Sequence, residues 1–516
     1  MYATDAAGPV DPMTTQEVGP TGEGTSRRAF LAAGATVVAW SLVGSGWLTA
    51  DTAHASSSRA DVPRLDGTLE VGVPAGFDSD FGGFVRAEPW AVLRPGSTAD
   101  IVAMITFARR HCISVAVNGQ SGEPGVLESH SNYGQALTPG GIQIDARSFR
   151  TIEKVDATCA VVGAGATWGE VVDAALAVGS TVASLPDYLN LSVGGTISVG
   201  GIGGNVQRAG LQADMVRSVE VVTGAGRLVT ATARRNSALF DAVLAGGGQV
   251  GVITKVELAL VPAETTATMR SFYYDDIRRF LADQTLVMGT QRFDYQAGEI
   301  VRSADGTSWR FKMEVGSYHS TEHAPAVDDV LARLGDVAAE RQEFSLPYRD
   351  WAFRLAPLMP GLLAGGYWTQ RKPWLSLLVP SDKVESFLAT VLPDLTADDL
   401  GAGFCLLSPI DPARVRAPLF ALQGGADGTA FFFDLLAFPH PTTDPAAIDA
   451  MLERNRRLYD ALVALGGKRY IIGAIPRMTA RDWERHWGRS TYAAFKRLKR
   501  AYDPRSILTP GQGFFG

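Results

Sequence analysis

The sequence predicts an α+β protein of more than one domain, and three observations carry that prediction. Up to about residue 263, helix-spaced and strand-like apolar segments alternate. From about Thr265 the chain turns to aromatic-rich strands joined by long polar connections, with two strong helices. The chain has 516 residues, 46% of them apolar and 20% charged, which is enough for several domains with large buried cores. Its 56 glycines and 27 prolines follow no period, so collagen-like and wholly disordered classes are excluded. A net charge of −7 without a basic run argues against a nucleic-acid partner. Cys112, Cys159 and Cys405 are too few and too scattered for a disulfide framework or a thiolate metal site, and allow at most one bridge.

The first segment reads as an address. Ser26-Arg27-Arg28-Ala29-Phe30-Leu31 opens an apolar run that reaches about Leu48, and Ala53-His54-Ala55 follows. Paired arginines, a modest apolar stretch and a small-x-small site predict a twin-arginine export signal over residues 1–55, cut after Ala55. Gly44 and Gly46 interrupt the run, leaving it short of the ~20 apolar residues of a membrane span, so no stable anchor is expected. A periplasmic or extracellular location follows, with residues 56–65 as a linker. That route carries folded proteins, which suits a chain that acquires a cofactor first.

The elements then come in order. Ser97 with Asp100 forms a capping box, and Ile101, Met104, Ile105 and Ala108 recur at helical spacing, so a helix is predicted over 98–111. The apolar run 113–117 is a buried strand. Thr167 with Glu170 is a second capping box, opening a helix that ends at Gly179. A helix over 236–244 stops at Gly246-Gly247-Gly248, and 251–261 returns as a strand. Strands are predicted over 309–318 and 430–438, with Phe431-Phe432-Phe433 as sheet core. Asp444-Pro445 caps a helix whose face carries Ile448, Met451, Leu452, Leu458, Leu462 and Leu465, and Gly466 ends it.

Two segments suggest a ligand. Residues 192–204 hold six glycines, which let a backbone approach a ligand and leave N–H groups for phosphate oxygens. No Gly-Lys-Ser/Thr follows, so this is not a Walker loop. Gly163-Ala164-Gly165 stands between a strand and a helix, but Trp168 occupies the third glycine position of a dinucleotide fingerprint, which argues against nicotinamide binding. His319 and His323 are four apart on a loop without a third ligand, so no metal is expected. No nucleophile elbow points to hydrolysis.

Further motifs run in order along the chain. Val115-Ala116-Val117-Asn118-Gly119 follows the helix over 98–111, and His130-Ser131 precedes Gly134-Gln135-Ala136. Asp187-Tyr188-Leu189, Val193-Gly194-Gly195-Thr196, Val221-Val222-Thr223-Gly224 and Gly248-Gln249-Val250-Gly251 come next. Trp483-Glu484-Arg485-His486-Trp487-Gly488, Tyr502-Asp503-Pro504 and Pro510-Gly511-Gln512 close the series. From about Ala91 to the C-terminus the chain resembles the cytokinin dehydrogenases, a family of the vanillyl-alcohol-oxidase superfamily.

That resemblance implies a two-part PCMH-type FAD-binding domain, over 66–263 and 470–516. It encloses a substrate domain over 264–469, an antiparallel sheet covered by helices. It implies FAD as cofactor, with His130 as the covalent linkage site and Ser131 and Gln135 beside it. Here Asn118-Gly119-Gln120-Ser121-Gly122 and an extra loop through Glu128-Ser129 replace the family's Gly-x-Gly before His-Ser. Asn118, Gly119, Gln120 and Ser121 would hold the pyrophosphate with His130 displaced, which leaves both a covalent and a non-covalent flavin open. Ser192, Thr196, Ser198, Ile202, Val252, Thr509 and Gln512 would line the flavin. Asp187 would accept the amine proton of the substrate while hydride leaves for flavin N5; by itself, Pro186-Asp187-Tyr188 also reads as an Asx-type turn.

The substrate half departs from the family. Asp294-Tyr295-Gln296-Ala297-Gly298 has alanine where plant members place a glutamate that helps hold an adenine, and Gly473 replaces a tyrosine. The function implied is FAD-dependent oxidation of a C–N bond in a secondary amine, with oxygen or a quinone-like molecule taking the electrons. An alcohol or sugar oxidase on the same scaffold, and an exported flavin-binding protein without turnover, stay open beside it.

Overall fold

The computed structural model describes residues 38–40, 47–49, 62–119, 132–303, 305–321 and 325–516. The paired arginines, the proposed cleavage site, Gln120, Ser121, His130, Ser131 and His323 therefore lie outside the described residues. Among the described residues no helix is long and apolar enough to cross a membrane.

Local signals place the first elements. Ser97 caps the helix Thr98–His111, accepting from Asp100 N, and Cys112 ends it in the left-handed region at φ 53°. The Asp100 carboxylate reaches back past the cap residue. It accepts from the N–H groups of Asp66, Gly67 and Gly96 at 2.8–2.9 Å, tying the preceding strand to the helix. This helix is the crossover that a parallel pairing requires. It joins the strands Ala91–Arg94 and Val115–Asn118, which flank Ile142–Asp145 in parallel, and Thr68–Val71 adds an antiparallel edge. The strand begins two residues later than the 113–117 read from hydropathy, because Ile113 N bonds back to the helix at Ala108 O.

A second sheet of five strands is antiparallel throughout, in the order Leu228–Ala231, Val216–Thr223, Gly251–Ala259, Cys159–Gly163, Ile152–Val155. The Gly-x-Gly turn leaves an antiparallel strand, so it is no leading strand of a parallel dinucleotide unit. Thr167 and Glu170 form the expected capping box, but the helix runs Trp168–Leu176 and stops before Gly179. The predicted 236–244 helix is Ser237–Val243, entered through Asn236 at φ 53°.

The change of character near Thr265 is an eight-stranded antiparallel sheet. Its order is Gln342–Pro347, Thr266–Tyr274, Trp309–His319, Tyr295–Arg302, Phe404–Ile410, Ala430–Leu436, Leu375–Pro380, Lys468–Arg469. Phe431 and Phe433 are 1% and 0% exposed, so the aromatic triplet is sheet core, with Phe433 packed edge-on against Phe387 of the helix Val384–Val391. The helix Pro445–Ala464 is capped by Asp444, which accepts from Ala446 N.

After the helices Ala480–Trp487 and Arg489–Tyr502, the C-terminus returns to the first sheet. Val115 N donates to Ile507 O and Thr509 N to Val115 O, both at 2.8 Å. A buried ion pair holds this return: Lys499 Nζ lies 2.8 Å from Asp503 and also donates to the carbonyls of Gln249 and Leu508. The Asp503 carboxylate accepts from Ile507 and Leu508 N–H groups, so an otherwise irregular segment has its backbone satisfied. The fold is thus α+β. The three cysteines are unpaired, Cys112 exposed and Cys159 and Cys405 buried.

Candidate functional site

Between the two smaller sheets and the large one runs a cleft of about 460 Å³, mostly apolar, within the range of small-molecule and cofactor sites. Gly119, Gln135, Asp187, Ser192, Thr196, Ser198, Ile202, Val252, Thr509 and Gln512 all line it. Ten residues scattered over four hundred positions are brought to one wall. Asn118 is the exception among the described candidates. Its side chain is fully buried and Nδ2 donates to Gln143 Oε1 at 3.1 Å, so it braces the sheet and does not line the cleft.

The glycine run serves packing as well as ligand approach. Val193 and Gly194 spend their N–H groups on Ala166 O and Ala164 O at 2.8 Å, so those two are not free for phosphate. A Cβ at Gly203 would stand 1.7 Å from Leu185 O, and one at Gly204 would stand 2.0 Å from the Tyr295 ring. Only glycine lets the loop that carries Asp187, and the ring of Tyr295, come this close. The hydroxyls are anchored as well: Trp168 Nε1 donates to Thr196 Oγ1 at 2.8 Å, Ser198 Oγ to Gly194 O at 2.7 Å, and Thr509 Oγ1 to Gly248 O at 2.9 Å.

Gln135 is positioned from two sides. Its Nε2 donates to Gly247 O at 2.6 Å, and the preceding Gly134 N donates to Asp80 at 2.8 Å. Burial pushes the Asp80 carboxyl up to about 6, against the pull of four backbone N–H groups. Gln135 Oε1 is buried at the cleft and has no partner among the described residues. A buried acceptor left over at the wall of an apolar cleft is what a ligand N–H would satisfy. A flat, largely apolar ring system with N–H donors at its edge, such as isoalloxazine, fits this wall.

The opposite wall carries residues that sequence reasoning missed. Arg354 Nη2 donates to Asp187 Oδ1, and the guanidinium packs against Trp351 and Tyr295, 4.4 and 5.1 Å from ring centroids that themselves meet edge-on at 5.0 Å. Burial works against the charge on Arg354, but the Tyr295 phenol and the Asp187 carboxylate outweigh it and hold the group above its usual range. Ala297 packs against a small apolar cluster of Ala267, Met269, Tyr295 and Trp351. No local motif announces Arg354, which meets Asp187 across 167 residues.

Asp434 is the second carboxyl of the cleft, only 5% exposed. It pairs in register with Ser376, whose Oγ donates to Oδ1 at 2.6 Å. Burial, aided by the like charge of Asp187, pushes it up to about 8 against the pull of the Ser376 bond. A lone acid in Ala-Phe-Phe-Phe-Asp-Leu-Leu was a visible signal, overlooked beside the aromatics. Both ring nitrogens of His319 have protein partners: Nε2 lies 2.9 Å from Thr268 Oγ1 and Nδ1 2.9 Å from Thr321 O.

Comparison with known proteins finds two family models. Residues 89–232 match the family model described as an FAD binding domain, and residues 307–515 match "Cytokinin dehydrogenase 1, FAD and cytokinin binding". The chain is 36% identical over 434 residues to an uncharacterized oxidoreductase, ORF5 in the fasciation locus of Rhodococcoides fascians, covering 84% of this chain and 95% of that protein. It is 30% identical to cytokinin dehydrogenase 1 of Oryza sativa subsp. japonica, covering 86% and 90% of the two chains. To cytokinin dehydrogenase 1 of Arabidopsis thaliana it is 29% identical, covering 84% and 80%.

Proposed function

The chain belongs to the cytokinin dehydrogenase family of FAD-dependent oxidoreductases, and we propose that it oxidises a secondary amine at its C–N bond, with Asp187 as proton acceptor. FAD supplies the two-electron acceptor when bound. Gln135, Thr196, Ser198, Val252, Thr509 and Gln512 would hold and orient it along the cleft wall, with Gln135 Oε1 accepting from its ring edge.

Asp187 carries the reading. Its side chain is 38% exposed at the cleft, one oxygen is engaged by Arg354, and the other has no partner among the described residues. That oxygen can take the amine N–H proton as the adjacent carbon loses its hydrogen with both electrons, leaving a C=N bond. Arg354 fixes the carboxylate's orientation, and its contacts with the Trp351 and Tyr295 rings position Arg354. The cytokinin dehydrogenases that the chain resembles, together with the aromatic walls Trp368, Trp374 and Phe438, favour an amine borne on a flat ring.

Anaerobic mixing of the holoprotein with secondary amines should bleach the flavin, and Asp187→Asn should slow bleaching by roughly 10²–10⁴-fold while the flavin stays bound. Bleaching at an undiminished rate in that variant would remove Asp187 from the chemistry. Polyols bleaching the flavin where amines do not would favour the alcohol oxidase. Export by the twin-arginine route is part of the same proposal, and N-terminal sequencing of secreted protein should begin at Ser56.

A further inference from the structure

We propose that Asp434, supported by Ser376, is a specificity-determining residue: a neutral carboxylic acid that donates a hydrogen bond to an acceptor nitrogen in an aromatic ring of the substrate. This rests on the reading of Asp187 as the amine's proton acceptor and adds a second anchor to the same cleft. The strand Ala430–Leu436 is otherwise wholly apolar, and Asp434 is buried within it at the cleft wall. Among the described residues no arginine, lysine or histidine stands within ion-pair distance of it, so the ionised form would be an uncompensated buried charge. Such a group keeps its proton.

The proton's place follows from the geometry. Oδ1 accepts from Ser376 Oγ at 2.6 Å, so the acid O–H belongs on Oδ2, which is left to serve the cleft. The groups facing Asp434 from the packed elements keep it neutral. The strand Leu375–Pro380 brings Ser376, Phe404–Ile410 brings the buried thiol of Cys405, and the phenol of Tyr470 is buried nearby. Asp187 acts on it as a like charge, and the Arg354 cation is committed to Asp187. Trp368 and Trp374, in ring contact with Phe438 at 5.8 and 5.4 Å, line the same cleft with it, so the ligand that meets this donor is flat.

The test is binding to the dithionite-reduced holoprotein, whose flavin can take no further hydride, by anaerobic calorimetry, using N6-benzyladenine and N-benzylaniline. Both are secondary amines with a benzyl group, and only the first has ring acceptor nitrogens. At roughly pH 6 the wild type should prefer the purine by about tenfold or more, one well-placed hydrogen bond in a buried site. Asp434→Leu should bring that ratio towards one, and Asp434→Asn, whose amide also donates, should keep it. In the wild type the preference should fade as pH rises through about 8, where the donor proton is lost, and it should not fade in the Asn variant. An unchanged ratio in Asp434→Leu, or a pH-independent preference in the wild type, overturns the proposal even if one variant folds poorly. If neither probe binds, this inference and the amine reading both fall. If the ratio collapses as expected but Asp187→Asn still bleaches at full rate, only the role of Asp187 falls.

Discussion

Replacing Asp434 by asparagine should stabilise the protein, and by more as pH rises. In the unfolded chain this carboxyl titrates near 3.8, and in the fold at about 8. Between those values the unfolded chain has released a proton that the native protein keeps, so native stability falls as pH rises. The limiting slope is about 1.4 kcal/mol per pH unit, with a ceiling near 6 kcal/mol above about pH 8. Because the residue faces a cleft that admits water, we expect roughly half of that, about 0.5–1 kcal/mol per pH unit. Asparagine still accepts from Ser376 Oγ and carries no ionisable proton, so its stability lacks this slope. The assay is urea unfolding of wild type and Asp434→Asn at fixed FAD concentration, from about pH 5 to about pH 8. Other carboxyls, including Asp80 with its own value of about 6, are common to both proteins and cancel in the difference. A difference in unfolding free energy that stays flat across this range would show that Asp434 is ionised in the fold, and the reasoning would fail.

Three further outcomes are expected. Lys499→Met leaves the Asp503 carboxylate, 0% exposed, without its cation, and strips donors from the carbonyls of Gln249 and Leu508; thermal unfolding followed by flavin fluorescence should show a loss of about 3–5 kcal/mol and earlier flavin release. Gly204→Ala drives a methyl group to 2.0 Å from the Tyr295 ring, which should lower stability by about 1–3 kcal/mol and reduce kcat by loosening Arg354; an unchanged melting temperature and kcat would contradict the packing described. Acid precipitation of the wild type and of His130→Ala should separate the two flavin linkages: colour retained in the wild-type pellet and released in the variant means a covalent bond, and free FAD from both means none.

Local interactions were legible in the sequence. The capping box at Thr167, the Ser97 cap of Thr98–His111, the Asp444-Pro445 start and the aromatic triplet involve groups within four residues of one another or a simple alternation of faces. These are short-range energies, carried by the order of residues whatever the rest of the chain does. Their ends were less legible: Gly179 was read as a stop, but the helix closes three residues earlier. The motif order reached further, since ten of the residues singled out converge on one cleft wall. Asn118 differs from these ten in that its side chain donates to Gln143 on the neighbouring strand.

Composition, helix starts, the strand-rich second half and the glycine-dense run along the cleft were thus determined by the sequence itself. What only the tertiary structure decided is the electrostatics of the cleft and of the buried C-terminal return. Arg354 meets Asp187 across 167 residues, Ser376 meets Asp434 across 58, and Lys499 meets Gln249 across 250. Whether a carboxyl is charged, paired or a proton donor depends on the dielectric and the partners that packing brings to it. Those are properties of the assembled sheets, and no stretch of sequence contains them.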